Sequence, residues 1–241
     1  MAMCLSSIAQ TNSTPAAATL DKGSEKRTRA ALEAANLNDA SKEGKVHDIV
    51  YDYLTALKTW HETNDAQLKT LWAAFGADRN THDAAKIQAG IDALEAQYAS
   101  FKPVHDDFEA KLTAAVSPEQ IEAIKDAFTV KKVEVTFNAY QQIFHGLTAD
   151  QNAVILKYLK DAREEAIDAE AMTEKSAFFK KWKDKIEAYL TAQGYDVKKS
   201  YEEFTAKQKA EAGAKAAKKS AKAAKGTNGV YRIEGGAVEN Q

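Results

Sequence analysis

From Val46 the apolar positions Val46, Val50, Tyr53, Leu57, Trp60, Leu68, Leu71 and Phe75 recur at three- and four-residue spacing, with a polar interruption around Asn64 and Gln67. That rhythm is the face of one amphipathic helix over roughly 39–75, far longer than a strand-based domain accommodates. A second run, Ile87, Ile91, Leu94, Tyr98, Phe101, His105, Phe108 and Leu112, follows the polar segment 76–83. The two runs predict a long antiparallel helical hairpin. Pro103 sits inside the second, where it removes a donor and crowds the preceding turn, so a kink or break is expected near Lys102. Only three prolines and eleven glycines punctuate 241 residues, which leaves too few turns for an all-β fold. The expected class is all-α, with the hairpin followed by a bundle of shorter helices.

Helix starts in the second half are written in capping chemistry. Ser117-Pro118-Glu119-Gln120 places a cap, a first-turn proline and a glutamine that can return a bond to the cap, while Val116 and Ile121 fit the accompanying hydrophobic staple. Leu147-Thr148-Ala149-Asp150-Gln151 repeats the box, and Leu37 to Ser41 is a weaker version. Residues 130–137 are ambiguous: Val133, Val135 and Phe137 alternate like a strand, yet Val130, Val133, Phe137, Tyr140 and Phe144 keep helical spacing. Helix is the better reading because no partner strand is evident. Thr173 and Glu174 open a helix with Phe178, Phe179, Trp182, Ile186, Tyr189 and Leu190 on its apolar face, and Gly194 stops it. Asp196 caps a last short helix carrying Val197, Tyr201 and Phe204.

Charge and termini divide the chain into three parts. Residues 205–241 hold seven lysines and one arginine against three glutamates, whereas the preceding body is net acidic. The Ala/Lys tract has no interleaved aromatic, so it reads as a flexible solvated tail rather than a specific nucleic-acid site. Residues 1–23 read as a disordered N-terminus or a signal-peptide remnant, because Ser7-Ile8-Ala9 is a small-x-small triplet before a polar spacer. That remnant places the protein in the periplasm or among secreted proteins. The body, 24–204, is expected to be a single helical domain. The lone Cys4 excludes a disulfide framework, and no stretch is apolar enough to span a membrane.

Four elements carry a family resemblance: Val133 to Tyr140, Leu147 to Gln151, Ala162 to Ala169 and Ile186 to Asp196. With Trp60-His61-Glu62 and Asn64-Asp65 in the first half, the chain resembles a bacterial, mostly exported family of unknown function that carries a sugar-binding label. The resemblance implies export, an all-helical fold and a carbohydrate partner, and it brings no catalytic residues. The Leu-Thr-x-x-Gln element is also similar to that of small periplasmic helical chaperones, although a capping box produces it on structural grounds alone.

No cofactor fingerprint, phosphate loop or nucleophile elbow occurs, so the chain reads as non-enzymatic. His61 and Asp65 share a helix face, with Glu62 beside them, but a solvated polar face is the simpler reading. His105-Asp106-Asp107 at the expected kink is the other cation candidate, and it too reads as solvent-facing. Glu164, Glu165 and Asp168 are dense enough for a hydrolase's carboxylate pair, but Lys157, Lys160 and Arg163 accompany them as exposed ion pairs would. Asn138 is a helix-disfavouring amide between Phe137 and Tyr140, hence a ligand-contact candidate. Tyr140, Trp182 and Tyr195 can stack on a sugar ring, Trp182 being better suited to the core. Ligand binding is accordingly assigned to Asn138, Tyr140, Arg163 and Tyr195. The alternatives are a chaperone with an exposed apolar concave surface and a hydrolase acting on polysaccharide.

Overall fold

The computed structural model describes residues 20–81 and 83–227, and in this region it is all-α. The helices are α1 (Lys22–Ala35), α2 (Ala40–Thr81), α3 (Ala84–Tyr98), α4 (Lys102–Ala115), α5 (Pro118–Phe128), α6 (Lys132–Ile143), α7 (Ala149–Ile167), α8 (Met172–Ala192) and α9 (Val197–Thr227). Cys4 and the Ser7-Ile8-Ala9 triplet lie outside the described residues.

Most helix ends fall where the capping chemistry puts them. The Ser117 hydroxyl accepts from the Gln120 amide while the Gln120 side chain accepts from the Ser117 amide, closing the predicted box at the start of α5. Thr148 and Gln151 do the same for α7, at 2.9 and 3.2 Å. The second apolar run breaks as expected, between Tyr98 and Lys102, with Pro103 in the first turn of α4, where its missing donor costs nothing. The ambiguous stretch is helical, and Gly194 ends α8 at φ 91°. Asp196 accepts from the Lys199 amide at the start of α9.

Three boundaries differ from expectation. α1 precedes the first apolar run of the sequence; Asp21 caps it through the Ser24 amide, and Asn36 closes it at φ 48°. α2 runs through Gly76 to Thr81 instead of stopping near Phe75, because one glycine costs a helix only about 1 kcal/mol, and the effective stop is the Asp83 cap of α3. α9 continues past Phe204 to Thr227, since the Ala/Lys tract has high intrinsic helix propensity even without an apolar face.

The chain divides into two compact units, the first comprising the residues through Lys131 together with 163–176, the second comprising 132–162 and the residues from Ala177 onward. In the first unit α2 packs along α1, α3 and α4, and α1 packs on α5. Val50, Leu54, Leu57, Phe108, Leu112, Ile124 and Ile167 form its buried core. Tyr53 stacks on Phe108 with ring centroids 4.0 Å apart. The second unit buries Val133, Tyr140, Phe144, Ile155, Leu159, Phe178, Phe179, Ile186 and Leu190, and α6 packs on α9 within it. None of the described helices is long and apolar enough to cross a membrane.

Candidate functional site

α7 ends at Ile167, and the next residue organises the polar interior of the first unit. Asp168 Oδ1 accepts from the Tyr53 hydroxyl at 2.7 Å and pairs with His105 Nδ1 at 2.9 Å. Its backbone carbonyl lies 2.8 Å from His61 Nε2. A carbonyl can only accept, so His61 carries its proton on Nε2 and, as a neutral ring, presents Nδ1 as an acceptor. Burial and then the Asp168 carboxylate push the Tyr53 hydroxyl well above its ordinary range. Burial lowers His105, but the bond and charge of Asp168 outweigh it and leave the imidazole raised.

Two cations are enclosed beside this centre. Arg163 is 1% exposed, with its guanidinium on Asp126 at 2.8 Å, Glu122 at 2.7 Å and Glu164 at 3.2 Å. Burial works against its charge, but the bonds to Glu122 and Asp126 more than compensate and raise it. Lys175, 2% exposed, donates among the described residues only a 3.4 Å bond to the Ala166 carbonyl. Burial first, then the Arg27 charge, pull its amine down to about 7, against the attraction of Asp168, Glu174 and Glu170.

His105, Glu109 and Glu164 offer ligand atoms within 4.8 Å of one another, a spacing a metal ion would accept. The Lys125 ammonium is already 2.7 Å from both carboxylates, so a protein cation occupies the role the ion would play. The His105-Asp106-Asp107 trio does not converge: His105 turns inward to Asp168, Asp106 pairs with Lys102, and Asp107 pairs with Lys111.

Above His61 the α2 face and the start of α8 enclose a cleft of about 640 Å³, lined by His61, Glu62, Asp65, Trp72, Glu170 and Glu174, with Leu68, Lys69, Ala171 and Thr173 completing it. His61 is 6% exposed, which corrects its reading as part of a solvated face. The segment after α7 covers it, a contact that α2's own sequence could not announce. Likewise the charged run of α7 is not wholly solvent-facing: Arg163 and Asp168 point into the unit, whereas Lys157 and Asp161 form the exposed pair expected of such a run.

Residues 21–210 match the family described as "Protein of unknown function (DUF3826)". The chain belongs to that family. No curated protein matches it.

The family's label names no chemistry, so the placement of the sequence-assigned residues stands on geometry. Asn138 is exposed on α6. Tyr140 is buried, stacked on Phe144 at 5.8 Å, and Tyr195 meets the same Phe144 edge-on, also at 5.8 Å, with its hydroxyl donating to Gln151. Tyr140 and Tyr195 thus share one aromatic cluster in the second unit, while Arg163 belongs to the carboxylate network of the first. Sequence reasoning did not single out Tyr53, Lys125 or Lys175. A signal existed for the two lysines: Lys125 stands four residues after Ile121, and Lys175 three and four before Phe178 and Phe179, both on apolar stripes.

Proposed function

We propose that the protein is a non-enzymatic binding protein of the periplasm or cell exterior that holds a small carbohydrate-class ligand in the α2–α8 cleft. The cleft's composition carries the reading. One aromatic, Trp72, shares about 640 Å³ with carboxylates and the Thr173 hydroxyl, and sugar recognition uses an aromatic surface flanked by such polar groups. The volume falls within the range of ordinary ligand pockets, roughly 300–1,000 Å³. Tyr140 and Arg163 are committed to protein partners, so this proposal places the ligand in the cleft rather than on them. A chaperone would need a contiguous apolar surface, and the large exposed apolar side chains described are Leu20, Val130, Val135 and Met172, on separate segments.

Titration calorimetry against neutral, acidic and amino saccharides tests the reading. Binding is expected with at least one class, weakened about tenfold in Trp72→Ala with the helical circular-dichroism spectrum unchanged. Absence of binding to every class overturns it, and saccharide cleavage during the titration would replace it with the hydrolase alternative.

A further inference from the structure

His61 and Glu174 face each other across the cleft in an arrangement that neither satisfies alone. The Asp168 carbonyl fixes the His61 proton on Nε2, so neutral His61 offers the Nδ1 lone pair. Opposite it, 4.0 Å away, stands Glu174 Oε2. That separation is too long for a direct hydrogen bond, and the two atoms are both acceptors when the ring is neutral. Glu174 is held in place by the Ala171 amide, which donates to the same oxygen at 3.3 Å and leaves it further acceptor capacity. His61 is more than nine-tenths buried, and the part of it that lines the cleft is where a ligand can reach Nδ1.

Charge narrows what can bridge them. Asp65 is matched by Lys69 at 2.7 Å, while Lys58, held by Asp21 at 2.7 Å, lies 3.9 Å from Glu62 and also feels the Glu170 charge, which among the described residues leaves Glu174 as the cleft carboxylate without a lysine of α2 beside it. From the interior side, Lys175 and Arg27 are the nearby cations and Asp168 the nearby anion. The Lys175 amine titrates at about 7, so near neutral pH it supplies only part of a positive charge to Glu174 and Glu170. A ligand hydroxyl has one proton to donate and satisfies one of the two acceptors. An ammonium has three, and its charge matches the carboxylates.

We propose that the cleft selects a ligand bearing a protonated primary amine, with the ammonium seated between His61 Nδ1 and Glu174 Oε2 and the remainder of the ligand against Trp72. Joined to the binding reading above, on which its saccharide form rests, the inference makes the ligand an amino sugar; a linear diamine presents the same ammonium without the sugar.

The full chain is titrated calorimetrically with glucosamine, N-acetylglucosamine, glucose and 1,4-diaminobutane. Glucosamine is expected to bind at least about tenfold more tightly than N-acetylglucosamine or glucose, and Glu174→Gln is expected to erase that preference. The acetylated sugar probes the ammonium on unaltered protein, so the result stands even if the variant folds poorly. Equal affinity for glucosamine and glucose overturns the amine inference and leaves the carbohydrate reading intact. Binding of the diamine with no binding of any saccharide supports the amine inference and overturns the carbohydrate reading. A preference that survives in folded Glu174→Gln removes Glu174 from the site and overturns the proposed seat. No binding of any of the four overturns the amine inference.

Discussion

The two compact units differ in how much charge their interiors hold. The first encloses charge: Arg163, Lys125 and Lys175 are each at most 6% exposed, ringed by Asp126, Glu109, Glu122, Glu164 and Asp168. The second is organised mainly by rings, with Phe144 touching Tyr140, Tyr195 and Tyr201, and Tyr158 touching Trp182 and Tyr189, although Lys181 is also buried there, its ammonium 5.6 Å from the Trp182 ring centre. An apolar core gains from every buried ring and is indifferent to pH over the neutral range. A charged core gains only while each ion keeps its partner, because an orphaned buried charge costs several kcal/mol. The unit with the less forgiving interior is also the one with the cleft. Its buried charges fix Asp168, which in turn fixes the His61 tautomer that the cleft presents.

Truncation tests this contrast most severely. Phe144→Ala should cost about 4 kcal/mol in urea denaturation, as expected for an emptied aromatic core site, with the same loss at pH 6 and pH 9. A loss that varies with pH would show that the second unit's core is not electrostatically neutral. Arg163→Ala should cost roughly 3 kcal/mol, since it strands carboxylates assembled around the guanidinium. A change below about 0.5 kcal/mol would mean that those carboxylates simply turn to water and that the charged interior is not cohesive.

Lys175 gives the smallest effect and the opposite sign. Its folded pKa, about 7, lies below its ordinary 10.5, so between those values the unfolded chain binds more protons than the folded one. Stability therefore rises as pH climbs from about 7 towards 10.5 and is flat in this respect below 7. Lys175→Met removes the cost of burying the amine and should stabilise the protein by about 2 kcal/mol at pH 7 while abolishing that rise. Destabilisation by the methionine would show that Lys175 is a cohesive partner of Asp168 and Glu174.

The legible parts of the fold were those written within a few residues. The Ser117–Gln120 and Thr148–Gln151 boxes, the break before Pro103 and the stop at Gly194 each depend on contacts three or four positions apart. The α5–α6 connection was less legible: Val130 and Lys131 both sit at φ 53°, a left-handed conformation that a β-branched residue rarely takes, whereas the spacing of Val130 fits a helical stripe. The site was largely illegible. Tyr53 meets Asp168 across 115 positions and His61 meets its carbonyl across 107, so neither residue's neighbours announce its partner.

The sequence alone determined an all-helical chain, most of its helix starts and the break in its second apolar run, because capping, propensity and periodicity act locally. Only the tertiary structure decided which charges are interior. Arg163 and Asp168 share a run with the half-buried Asp161 and the exposed Lys157, and His61 shares a face with the exposed Asp65. What separates them is the packing of α2, α4 and α5 around the end of α7. That packing takes some polar groups away from water and obliges them to find partners in distant segments.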